Sequence, residues 1–288
     1  MRTIALTPLF KGDAPAPTGN DAQEVRRRNE RLMTGMDPYT GTVPTQQQYL
    51  DLLEDARTNN RPLVENIGRV VAASMQGLQL PEGEGAQLMF VEGCQWDWGL
   101  KPRTGAETNL TIFQGIVPEP VRKRLLAPIV DSHSRRTYEE LRKVFDLRSH
   151  IPVSPRVEAV THDYHQSRAL QIAEALRCRL APAMQPCIVH TPLEIAYQFQ
   201  RRTMLSGQKE GWERFLTDLV RITQPTREVM QKEEIWNESI LTLLAHVRQK
   251  TFGMIDPEAW MLPLKQGRKQ QPVPSKRSFR SLRMLNLD

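Results

Sequence analysis

A chain of 288 residues is long enough for one large domain or two small ones, and with 39% hydrophobic and 25% charged residues it holds enough apolar material for a core. Its net charge of +6 favours polyanionic partners such as RNA, DNA or acidic lipid. Cys94, Cys178 and Cys187 form no CxxC pair, which excludes a disulfide framework and points to a reducing intracellular compartment, the mitochondrial matrix included; no apolar run approaches the roughly 18–20 residues of a membrane span.

Residues 1–44 read as an extended arm carrying a short basic helix. Pro8, Pro15 and Pro17 hold its start open, and Thr7-Pro8 interrupts an apolar run too short for a secretory signal. Arg26, Arg27 and Arg28 make the helix over 20–33 basic. Residues 45–77 predict a helical pair. Thr45 with Gln48 forms a capping box that opens a helix over 45–58. Val64, Ile67, Val70 and Val71 follow at helical spacing over 62–76.

Composition changes over 78–118. Gly83, Gly85, Gly93, Gly99, Gly105 and Gly115 fall here with few helix signals, so the segment reads as a Gly-rich loop. Leu88–Val91 and Leu110–Phe113 are its short strands or buried extended pieces, and Trp96-Asp97-Trp98 its anchor. A loop of that length inside a domain is functional, disordered or misassigned.

Residues 119–253 read as the main helical domain. A short basic helix over 120–127 comes first, then helices over 137–147, 155–180, 192–205, 210–223 and 227–251. Thr191-Pro192-Leu193-Glu194 is a strong helix start. Trp212, Phe215, Leu216, Leu219 and Val220 fit the i, i+3, i+4, i+7, i+8 template, and Trp236, Ile240 and Leu243 continue the apolar stripe in the next helix. Residues 254–288 form a basic extended tail. The predicted fold is mainly α: a multi-helix array or irregular bundle with a Gly-rich central loop and extended N- and C-terminal tails.

Signs of chemistry are few. His162 and His165 lie at i, i+3, a common start for a metal site, but such a site needs three or four ligands and only the Cys178 thiol is near in sequence. Cys94 has no positioned base beside it. Phosphate-binding, dinucleotide, nucleophile-elbow and zinc-protease motifs do not occur. No catalytic residue, metal or cofactor is therefore expected. The tail is the most informative feature: Lys265, Arg268, Lys269, Lys276, Arg277, Arg280 and Arg283 occur without an acid before Asp288. Together with Arg26, Arg27 and Arg28 they are the candidate nucleic-acid contacts. The reading is a non-enzymatic architectural subunit of a large, RNA-containing assembly of the ribosome-associated kind, with other protein subunits as partners. One alternative is a viral or phage nucleocapsid or inner-shell protein. Another is an enzyme or cofactor binder with its site in the 78–118 loop.

Overall fold

The computed structural model describes residues 2–9, 17–81, 83–148, 156–206 and 211–246. In chain order the elements are β1 (Arg2–Pro8), α1 (Ala22–Thr34), α2 (Gln46–Asn59), α3 (Arg61–Leu78), β2 (Glu84–Val91), β3 (Gln95–Trp96), β4 (Arg103–Thr104), α4 (Gly105–Ile116), α5 (Glu119–Arg122), β5 (Leu126–Asp131), α6 (Thr137–Arg148), β6 (Val157–Val160), α7 (Asp163–Leu180), β7 (Ile188–His190), α8 (Pro192–Ser206), α9 (Gly211–Ile222) and α10 (Arg227–His246). The chain divides into two units, Met1–Asn237 and Glu238–Asp288. Of the second, 238–246 are described, as the last turns of α10.

The mainly α expectation is overturned. Five strands form one sheet in the order β5-β2-β1-β6-β7, and every neighbouring pair in it is parallel. Helices alternate with these strands, so the fold is α/β. The N-terminal stretch read as an arm supplies β1, the middle strand of the sheet. The chain winds from β1 to β2 and β5 on one side, then crosses to β6 and β7 on the other. That reversal is the arrangement of doubly wound sheets.

Both faces of the sheet are covered. On one, Leu6, Leu88, Phe90 and Val160 join the core made with α3, α4, α8 and α9. On the other face lie Ala5, Met89, Val157 and Ala159, all buried, with α6 and α7 packed against each other. Strands buried on both faces read as continuous apolar runs, without the alternation that marks a half-exposed strand. Val157–Val160 is buried at every position, Glu158 included, so it shows no alternation, and it lies inside the helix predicted over 155–180; the helix begins only at Asp163. Ile188–His190 and Leu126–Asp131 are too short or too proline-bearing to show a period.

The supposed loop 78–118 contains β2, a two-stranded hairpin and α4. Leu88–Val91 is indeed strand, within β2. Leu110–Phe113 is helix, because Thr104 and Glu107 form a complete capping box ahead of α4. The hairpin docks on α1 through buried charge. Arg103 Nη1 donates to Glu30 Oε2 at 2.9 Å, Leu100 N donates to the same oxygen at 3.1 Å, and Asn29 Nδ2 donates to the Trp98 carbonyl at 2.8 Å. Trp98 is buried, as expected of an anchor.

Helix α3 is the spine of the unit, with 15 of its 18 residues buried. Fully burying each of Leu63, Ile67, Val70 and Val71 contributes about 1.5–3 kcal/mol. Of the predicted aromatic core, Leu219 is buried, Trp212 and Phe215 pack against the core, and Phe215 meets Tyr49 edge-on at 6.0 Å. The side chains of Trp236, Ile240 and Leu243 lie outside the described residues.

Candidate functional site at the carboxyl edge of the sheet

In a parallel sheet every strand points its carboxyl end at the same edge, and the helices that follow begin there with unpaired N–H groups. Here that edge is polar yet buried. At the end of β2, the Glu92 side chain is buried and accepts the Cys94 N–H at 2.7 Å, while the Glu92 carbonyl accepts Ala106 N–H at 2.9 Å. The strand end is thus tied to the first turn of α4. Thr104, the cap of that helix, also places its hydroxyl 2.8 Å from the Ser132 hydroxyl beyond β5. Gly93 donates its N–H to the Ser134 carbonyl. A Cβ at Gly93 would stand 2.5 Å from the Ser132 carbonyl oxygen, so only glycine lets the two strand exits touch.

At the end of β6, His165 sits between two hydroxyls: Nδ1 is 2.9 Å from Thr161 Oγ1 and Nε2 is 3.3 Å from Thr137 Oγ1. The imidazole therefore joins β6 to the start of α6. His162, wholly buried at the N-cap of α7, stacks on Tyr164 with ring centroids 6.1 Å apart. The two histidines singled out in the sequence share this edge, but Cys178 lies near the far end of α7 and is exposed. Among the described residues no group of three or more His, Cys, Asp or Glu is placed to hold a metal ion.

Beneath the point where the strand order reverses, between β1 and β6, charge is buried and networked. Arg69 donates through Nη1 to the Leu9 carbonyl at 2.9 Å and through Nη2 to Tyr164 Oη at 2.9 Å. The Tyr164 hydroxyl donates to Glu65 Oε2 at 2.5 Å, and Arg69 approaches the same carboxylate at 3.4 Å. Burial, with the Glu65 charge assisting against Arg69, pushes the Tyr164 phenol well above its ordinary range, so it stays a donor.

Cys94 is half-buried. Burial, with the Glu92 charge, pushes its thiol up to about 12 despite the opposing charge of Arg135. It therefore remains a thiol at neutral pH and is a poor nucleophile. Cys187 is pushed up to about 12 by burial in the same way.

Beside this edge, past the end of β5, lies an open concavity of about 490 Å³ lined by His133, Arg135, Glu139, Arg142, Lys143 and Asp146. Asp131 is engaged there by His133 Nδ1 at 2.8 Å and by Lys143 Nζ at 3.0 Å, which hold its carboxyl below the usual range against the opposing effect of burial. Glu139 accepts the Arg135 backbone N–H at 2.6 Å. Among the described residues the guanidinium groups of Arg135 and Arg142 form no hydrogen bond or ion pair.

The predicted nucleic-acid contacts are placed as follows. Arg26 pairs with Asp97. Arg27 pairs with Asp37 at 2.9 Å and lies over the Tyr39 ring at 5.0 Å. Arg28 is exposed at a small cleft between α1 and α2. Lys265, Arg268, Lys269, Lys276, Arg277, Arg280 and Arg283 lie outside the described residues. Sequence reasoning missed Glu92, Thr104, Ser132 and Thr161; it reads Thr137 as a helix cap and Glu140 as a solvated or dipole-facing carboxylate, whereas Glu140 is buried at the start of α6. The available signals were Thr104-Gly105-Ala106-Glu107, a capping box, and a polar residue directly after each short apolar run. Among the described residues no helix is long and apolar enough to cross a membrane. Comparison of the chain with protein-family models, with curated proteins and with solved structures finds no match.

Proposed function

We propose that this chain binds a small polar metabolite at the carboxyl edge of its sheet and acts on it there by proton transfer. One observation carries the reading: Glu92, Glu140, His162 and His165 are all buried at the ends of β2 and β6 and the start of α6, on one edge of a doubly wound sheet. Buried ionisable groups are costly to keep and concentrate where chemistry is done. The carboxyl edge is where such sheets take ligands. Carboxylates and imidazoles supply acid–base groups; the high thiol pKa of Cys94 argues against covalent catalysis through sulfur. This favours the enzyme alternative, with residues 92–107 of the former loop contributing to the site.

The test is an amide-resolved NMR titration of the full chain with a panel of metabolite phosphates, carboxylates and nucleosides. A binding member should move the amides of 92–94, 104–107, 132–137 and 161–165, and lose affinity in Glu92→Gln and His162→Gln. A panel in which every shift falls elsewhere would sink the reading.

The tail supports a second reading, the RNA-bearing assembly subunit. Its seven cations over 265–283 are the observation that favours it. A chain ending at Gly253 should then lose RNA affinity, with a salt dependence shallower by roughly 0.7 in log–log slope per single-strand phosphate contact removed. Unchanged affinity and slope would remove it.

A further inference from the structure

We infer that Arg135 and Arg142 form an oxyanion anchor at the rim of this edge, so that the ligand carries a phosphate or carboxylate group. The inference rests on the site reading above and adds the charge class of its ligand. The engagement of the charged groups inside the concavity carries it. Asp131 is already shared by His133 and Lys143, Glu139 accepts the Arg135 backbone N–H, and the remaining carboxylate of the lining, Asp146, also has a partner. The guanidinium groups of Arg135 and Arg142 are left exposed and unengaged among the described residues. A guanidinium presents its donors in a planar fork that matches the oxygens of a phosphate or carboxylate and stays charged at every physiological pH.

Position agrees with charge. Arg135 stands just before α6 and Arg142 in its second turn. The Arg135 carbonyl faces Cys94 Sγ at 3.7 Å, and the neighbouring Ser134 carbonyl receives the Gly93 N–H. An anion held by the two arginines would therefore lie beside the end of β2, leaving the rest of the ligand to reach Glu92 and the histidines. A concavity of about 490 Å³ suits a metabolite rather than a folded polymer.

The experiment is calorimetric titration of the full chain with two probes, inorganic phosphate and succinate. It is repeated on Arg135→Gln, Arg142→Gln, the double variant, and Arg214→Gln as an exposed control on α9. Both target side chains are exposed, so the variants keep the fold, which an unfolding curve checks. Binding of either probe should weaken about tenfold or more in the double variant, the scale of a lost charge-assisted bond, and stay unchanged in Arg214→Gln. Tighter phosphate assigns a phosphoryl ligand and tighter succinate a carboxylate. Failure of both probes to bind, or equal binding to the double variant, overturns the anchor. The NMR panel judges the edge separately through its amides at 92–94, 104–107 and 161–165, none of which belongs to either arginine.

Discussion

Two groups of charged side chains meet the carboxyl edge of this sheet and use charge in opposite ways. Under the reversal of strand order, Glu65, Arg69 and Tyr164 are buried and engaged with one another and with the Leu9 carbonyl. At the rim past β5, Arg135 and Arg142 are exposed and unengaged among the described residues. The difference separates a charge that holds strands in place from a charge available to a ligand. A buried ion has lost its water, so removing its partner costs several kcal/mol, whereas an exposed ion stays hydrated and its removal costs the fold little.

The contrast predicts a graded series. Arg69→Ala strips Glu65, Tyr164 and the Leu9 carbonyl of a shared donor inside the core. It should cost about 3–5 kcal/mol in urea unfolding, although Arg61 remains 3.5 Å from Glu65. A cost below about 1 kcal/mol would show that the network contributes as little as an exposed pair. Glu30→Gln breaks the second buried pair, with Arg103, and should cost about 3 kcal/mol while freeing the hairpin from α1. Proteolysis near Lys101, faster in the variant than in the parent, would report that release.

Gly93→Ala tests the contact between strand exits. A methyl 2.5 Å from the Ser132 carbonyl must push the β5 exit away, for about 1–3 kcal/mol and a loss of ligand affinity larger than the loss of stability explains. Equal affinity would detach the β5 exit from the site. Arg142→Gln belongs at the other end: a stability change within about 0.5 kcal/mol, combined with weakened anion binding.

The smallest effect is confined to acid. Asp37 accepts the Tyr39 N–H first, then that of Thr40, and pairs with Arg27, which together outweigh its burial and lower its pKa from 3.8 to about 2. A depressed carboxylate stabilises the fold above its unfolded value, and that contribution is lost as pH falls from about 4 towards 2. Asp37→Asn should flatten the unfolding midpoint across that window and leave its slope with pH unchanged above pH 5.

The sequence by itself determined the helices with strong local signals. The helix predicted over 45–58 is Gln46–Asn59, with its Thr45 capping box complete; that over 62–76 is Arg61–Leu78, and that over 192–205 is Pro192–Ser206. Caps and apolar stripes act between residues three or four apart, so they are legible in a single chain. His162 and His165 were legible as a pair for the same reason. The sheet was not. Its strands are runs of three to eight residues, the inner three largely buried on both faces, and pairing with distant segments makes them strands: Ala5 with Val157, Glu158 with Ile188. The site depends on that pairing too. Tyr164 meets Glu65 across 99 positions, and Thr137 meets His165 across 28. Neighbours along the chain carry no trace of such contacts, because parallel strands bring their carboxyl ends together only once the helices between them have folded back across the sheet.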